Sequence, residues 1–148
     1  MDSVDRATRS RIMRAVPRQD SVPELKLRKA LHRLGLRYRL HVKSLPGTPD
    51  IVFPRAHLAV FVHGCFWHRH VGCLLATTPG TNVSFWLDKF RANVARDERV
   101  TEQLIAAGWR TEIAWQCEID QDPILVALRI AELKNFVPPK ILSLRRLA

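Results

Sequence analysis

Apolar positions recur along the chain at two spacings. Leu27, Ala30, Leu31 and Leu34 follow the i, i+3, i+4, i+7 stripe of an amphipathic helix. Ser21-Val22-Pro23-Glu24 in front of them reads as a capping box, with Ser21 as N-cap and Glu24 at the third helical position. Gly35 supplies the stop. Residues 37–42 predict a strand, and Leu45-Pro46-Gly47-Thr48-Pro49 a turn. Asp50-Ile51-Val52-Phe53 then opens a short buried strand. The run Leu58-Ala59-Val60-Phe61-Val62-His63 is apolar on both faces until its last residue, as in a central strand. Ser84 to Ala107 predicts a long helix ended by Gly108, residues 110–115 a further strand, and Pro123 to Leu133 a final helix.

Strands alternating with helices predict a single α/β domain with a central sheet flanked by helices. A hairpin between its first strands makes that sheet mixed. The folded domain is expected over residues 21–135. A basic arm over residues 1–20, with Arg6, Arg9, Arg11, Arg14 and Arg18, precedes it, and a tail over residues 136–148 follows.

Composition narrows the partner. Apolar residues make up 47% of the 148, enough to fill one core. No apolar run is long enough to span a bilayer, and the N-terminus lacks the apolar stretch of a signal peptide, so a cytoplasmic address is expected. Lys and Arg number 24 against 14 Asp and Glu, a formal +10. Such an excess favours a polyanion, because each neutralised phosphate releases counterions. Charge alone does not separate nucleic acid from other acidic surfaces.

The segment from Gly64 to Asn82 has no periodicity but is dense in chemistry. It begins directly after His63 as Gly64-Cys65-Phe66-Trp67-His68-Arg69-His70-Val71-Gly72-Cys73. Cys65, His70 and Cys73, joined by the distant Cys117, form a Cys₃His set suited to tetrahedral Zn²⁺, with His70 preferred to His68 as the fourth ligand. Four protein ligands leave no open position for water, so such a zinc is structural. Asp50, His63 and His68 remain free. An Asp that opens an apolar strand must be solvated, paired or bound to a metal, although a turn aspartate after Pro49 is the simpler reading of that residue alone. A carboxylate holding Mg²⁺ beside a histidine titrating near neutrality could hydrolyse a phosphodiester.

The run HGCFWHRH, the FWLDKF…NVARD segment and GW…WQC, in this order, resemble the very short patch repair endonucleases over roughly Asp5 to Cys117. That family is related to restriction endonucleases, whose usual site is PD…(D/E)-x-K. Here Pro49-Asp50 is present, but Phe61-Val62-His63 stands where the second acid and lysine would be. The resemblance implies a restriction-endonuclease-like fold and a role for each matching residue. Asp50 corresponds to the Mg²⁺-binding aspartate, assisted by the backbone carbonyl of Val62. His68 matches the general base and His63 the histidine next to the phosphate. Glu24 matches a water-mediated contact at the metal, and Asp97 a supporting acid for the histidines. Cys65, His70, Cys73 and Cys117 match the zinc ligands. Phe66, Trp67 and Trp86 match aromatic wedges beside a mismatch, and Met13 a minor-groove contact.

Capping accounts for Glu24 equally well. Asp97 lies on the apolar stripe of its helix, three residues after Val94, and is expected to have a partner. Three departures stand out: two residues separate His70 from Cys73 where some members have one, Gln116 replaces a frequent acid, and Thr48 a frequent Arg.

The implied activity is a single-strand nick 5′ of the thymine in T:G mismatches left by deamination of 5-methylcytosine. A cytosine-5 methyltransferase is the expected genetic companion. Mismatch-repair proteins and a DNA polymerase are expected partners of a bacterial, nucleoid-associated monomer, since a nick needs one active site. The rivals are a restriction-type nuclease on matched DNA and a zinc-stabilised DNA-binding module without catalysis.

Overall fold

The structure is a computed structural model and describes Asp5, Ala7, Thr8, Arg11 and residues 19–135. Most of the basic arm, Met13 included, and the tail from residue 136 lie outside the described residues.

Helix α1 runs from Val22 to Arg33. Ser21 caps it as predicted, accepting from the Glu24 N–H at 3.4 Å. The reciprocal half of the capping box is not made, because the Glu24 carboxylate turns inward to His41 and Arg28. Gly35 (φ 76°) ends the helix in a Schellman turn, with Leu36 N–H donating to Leu31 O and Gly35 N–H to His32 O. Strand β1 covers only Arg39–Leu40, shorter than expected. His41 stops it by adopting a left-handed conformation (φ 46°), although its N–H and that of Val42 still donate to Asp50 O and Pro49 O. Strand β2 (Ile51–Phe53), a 3-10 turn (Pro54–Ala56) and strand β3 (Leu58–His63) follow. Helix α2 spans Val83–Ala106, strand β4 Arg110–Trp115 and helix α4 Pro123–Asn135. A short helix that the sequence pattern did not predict, α3 (Gln116–Gln121), begins directly after β4.

The sheet order is β1-β2-β3-β4. The first two pairings are antiparallel and β3 pairs with β4 in parallel, so the sheet is mixed as expected. Joining parallel neighbours requires a crossover, which the Gly64–Asn82 loop and α2 supply. One face of the sheet packs Ile51, Phe53, Leu58, Val60 and Ala114 against Leu27, Ala30 and Leu31 of α1, Ile119 of α3, and Val126, Ala127 and Ile130 of α4. Among the described residues, no helix is long and apolar enough to cross a membrane.

The turn that delivers Asp50 to its strand is pinned against α2. Gly47 has φ 72°, and a Cβ placed on it would lie 2.4 Å from Cγ1 of Val100. Gly47→Ala is therefore expected to destabilise the protein by about 1–3 kcal/mol, from overpacking plus a left-handed backbone penalty. Urea unfolding of the two proteins measures it; an unchanged midpoint would show that the turn does not depend on this contact.

Candidate functional site

Two adjacent clusters form where β3 and β4 end. The first gathers Cys65, His70, Cys73 and Cys117, whose ligand atoms all lie within 4.8 Å of one another. His70 Nδ1 stands 3.6 Å from Cys65 Sγ and 3.3 Å from Cys117 Sγ. A tetrahedral ion with ordinary zinc–ligand lengths sets sulfur and nitrogen about 3.5 Å apart. The group therefore fits a metal ion, and its soft thiolate-rich donor set suits zinc better than a hard cation. Burial pushes the Cys65 thiol up, and the adjacent thiols add to this, so ionisation awaits a counter-charge. Cys117 joins the set because α3 starts at Gln116. Gln116, which stands where an acid is frequent, accepts a hydrogen bond from the Cys65 N–H at 3.4 Å.

The second group is His63, His68 and Asp97, whose ligand atoms lie within 4.8 Å of one another, with Asp50 at the entry to the neighbouring strand. Asp50 enters β2 with its Oδ2 accepting from the Val62 N–H at 2.8 Å. It thus lies against Val62 through the amide N–H, whereas the resemblance implies a role for that residue's carbonyl. Burial lifts its carboxyl up to about 6; the Val62 bond opposes this, the Glu24 charge adds to it, and His41 and His68 offset part of it. Glu24, His41 and His68 are thus near enough for their charges to act on Asp50. His63 is 6% exposed, and its Nδ1 is buried with no hydrogen-bond partner. Burial, reinforced by the charge of His68, drives its pKa down to about 3, so the ring stays neutral. It stacks on His68 with centroids 3.7 Å apart and 9° between planes.

His68 Nδ1 lies 2.7 Å from Asp97 Oδ2. A carboxylate can only accept, which assigns the proton to Nδ1 and leaves Nε2 as the basic nitrogen. Asp97 is partly buried, which raises its pKa, but the hydrogen bond and charge of His68 outweigh that and hold it below the ordinary range. The acid on the apolar stripe thus has the partner expected of it, a histidine. A buried carboxyl lifted by desolvation, and near enough to His68 to feel its charge, is a ligand that a divalent cation fits.

The aromatic residues singled out by the sequence also converge. Phe66 lies 5.1 Å from Trp67 and 5.7 Å from Trp86 between ring centroids. Trp86 is buried, Phe66 and Trp67 are half-buried, and Phe85, which the sequence reading passed over, is 58% exposed. Asn93 of α2 donates to Trp67 O at 3.1 Å and holds this loop to the helix. Arg69 donates to Phe66 O, Ala76 O, Thr77 O and Thr78 Oγ1 while its guanidinium sits 3.9 Å over the Phe90 ring. His41 and Arg28, likewise missed, contact Glu24. No sequence motif marks them, since a partner for one acid is visible only once α1 meets the hairpin.

The mixed α/β sheet, with an acid opening one strand and a histidine closing its neighbour, agrees with the restriction-endonuclease-like fold that the resemblance implies. The family model for DNA mismatch endonuclease Vsr matches residues 1–73. The chain is 45% identical to the Type II nicking enzyme V.XorIIP of Xanthomonas oryzae, over 93% of this chain and 98% of that one. It is 43% identical to the DNA mismatch endonuclease Vsr of Escherichia coli, over 80% of this chain and 75% of that one. A Type II nicking enzyme of Neisseria meningitidis, V.NmeAIP, is 36% identical over 78% of this chain and 82% of its own. The chain belongs to the Vsr family and is a DNA endonuclease.

One consequence concerns stability. With its carboxyl raised to about 6 from an unfolded value near 3.8, the folded chain keeps a proton that the unfolded chain has already lost. Ionised Asp50 therefore costs stability at neutral pH, and that cost disappears as the pH falls through the interval. In chelator, Asp50→Asn is expected to raise the melting temperature at about pH 7.5, with the gain shrinking as the pH drops below 6. Thermal melts across that range test this; an equal effect at every pH would contradict it.

Proposed function

We propose that this endonuclease nicks double-stranded DNA on the 5′ side of the thymine in T:G mismatches that arise when 5-methylcytosine deaminates. The observation that carries the reading is the His68–Asp97 pair, at 2.7 Å, stacked on neutral His63, with Asp50 near enough to feel the charge of His68. The mismatch and nicking activities named for its E. coli and Xanthomonas relatives support the choice of substrate and product.

His68 accepts a proton from the attacking water at Nε2. Asp97 holds the Nδ1–H, fixing the ring and stabilising the imidazolium that results. His63, kept neutral, backs His68 by stacking and stands on the phosphate side. Asp50 would hold Mg²⁺, assisted by the backbone carbonyl of Val62 and, through a water-mediated contact, by Glu24. That ion, when bound, supplies positive charge to the scissile phosphate and to the leaving oxygen. Phe66 and Trp67 open the base step at the mismatch, where a wobble pair already weakens stacking, while buried Trp86 supports them from beneath. Met13 contacts the minor groove from the basic arm. Cys65, His70, Cys73 and Cys117 bind a structural zinc ion, and the protein acts as a cytoplasmic monomer.

A nicking assay on T:G, matched and other mismatched duplexes tests the specificity, with a T:G preference and a Mg²⁺ requirement expected. Asp50→Ala and His68→Ala should each lower the rate by at least about 10²-fold, with the fold retained. Efficient nicking by both variants would remove these residues from the mechanism. Equal cutting of matched DNA would favour a restriction-type activity instead. Elemental analysis of the purified protein should return about one zinc per chain. A zinc-free protein with an unchanged melting temperature would rule out the structural metal.

A further inference from the structure

Glu24 is 2% exposed, which is unusual for an acid in the first turn of a helix. A buried carboxylate must be paired, and this one is paired twice. Its Oε1 lies 2.7 Å from His41 Nε2 and 3.2 Å from Arg28 NH2, the latter an i,i+4 neighbour on α1. Arg28 also reaches Asp20 and stands 3.3 Å from His41 Nε2. Asp20, Glu24 and His41 could in principle surround an ion, but the guanidinium of Arg28 contacts all three, so they are not a separate cation site.

His41 differs from Arg28 in where it comes from. It stands at the end of β1, outside α1, and its N–H donates to Asp50 O at 3.1 Å. One residue therefore touches the backbone of Asp50 and the carboxylate of Glu24. It does so at φ 46°, a conformation that disfavours a residue with a Cβ and persists where the surroundings impose it. With carboxylate oxygen the closer contact, Nε2–H is the donor to Glu24.

We infer that His41 is a positioning residue of the catalytic cleft, which fixes the Glu24 carboxylate relative to Asp50 and so sets the affinity of the cleft for its divalent cation. The inference rests on the reading of Asp50 as the Mg²⁺ ligand. Arg28 keeps Glu24 paired within its own helix, whereas His41 ties that helix to the strand carrying Asp50. Without the imidazole, Glu24 stays paired and buried but is no longer referred to Asp50.

The test uses the zinc-loaded full chain and four proteins: parent, His41→Gly, His41→Gln and Asp50→Ala. Glycine suits φ 46°, so His41→Gly removes the ring without adding backbone strain, and melting curves verify that it folds. Binding of Mn²⁺, followed by loss of its free electron paramagnetic resonance signal, is read independently of cleavage. His41→Gly is expected to weaken Mn²⁺ binding, and to raise the Mg²⁺ concentration for half-maximal nicking, by about 10–100-fold. The maximal rate at saturating Mg²⁺ should change much less. His41→Gln keeps an N–H donor and should recover most of the affinity. Parent-like affinity in His41→Gly, with Asp50→Ala unable to bind, overturns the role of His41 alone. Binding by Asp50→Ala equal to the parent's, or no binding by the parent, overturns the metal reading of Asp50 and this inference with it.

Discussion

Val62 and His63 of β3 lie beside Ala114 and Trp115 of β4 in parallel register, so both strands deliver their ends to one edge of the sheet. Among the described residues, the Cys₃His group and the His63–His68–Asp97 group both gather at that edge. The loop leaving β3 carries Cys65, His68, His70 and Cys73, and the helix leaving β4 carries Cys117. Antiparallel pairing of these strands would send the two exits to opposite edges and leave the cysteines unable to meet. Trp115, the last residue of β4, stands between the clusters: His70 stacks on it at 4.2 Å and His63 meets it edge-on at 5.4 Å. The strand end thus acts as a partition between the sulfur-rich group and the acid–histidine cleft.

Burial works against charge on both sides of that cleft. It raises the pKa of Asp50 and lowers that of His63, so each group is driven toward its neutral form. For a hydrophobic core this would be a defect. In the proposed mechanism it is a store of unmet demand, which a cation would satisfy at the acid and a phosphate on the imidazole side. The paired members behave differently. Asp97 is held ionised by His68, and Glu24 is matched by Arg28 and His41, so the cleft keeps a fixed frame around groups left wanting.

Much of this was legible in the sequence, and the reasons differ by element. The 3.6-residue stripe of α1, the glycine after α2 and the two-faced apolar run of β3 each predict their element closely, because local periodicity and burial agree there. Residues 37–42 mislead, since their composition suits a strand while His41 obeys a tertiary contact instead. The short helix α3 has no periodic pattern to reveal it. The dense Cys/His segment announces its chemistry through ligand types alone. Glu24 shows the limit: the capping pattern is real, yet its carboxylate is recruited by residues four and seventeen positions away. Phe85 and Trp86 are neighbours on one helix, and only packing decides that the tryptophan is covered and the phenylalanine is not.

The loop between the clusters solves a directional problem. His68 and His70 are two residues apart, yet the first bonds to Asp97 on α2 and the second turns to the cysteines. In a regular helix or a strand, residues two apart keep a fixed relation that could not serve both. Arg69 between them adopts φ 55°, which breaks that relation and lets the two rings diverge. Such a conformation is costly for an arginine and must be held from both sides. On one side His68 N–H donates to Gly64 O and His70 N–H to Cys65 O; on the other the Arg69 side chain binds the carbonyls of the following turn. The sulfur-rich group closes this loop covalently once a metal is bound. Its contribution would therefore be local: it would hold the backbone turn that aims His68 at Asp97 and leaves Nε2 free of that bond.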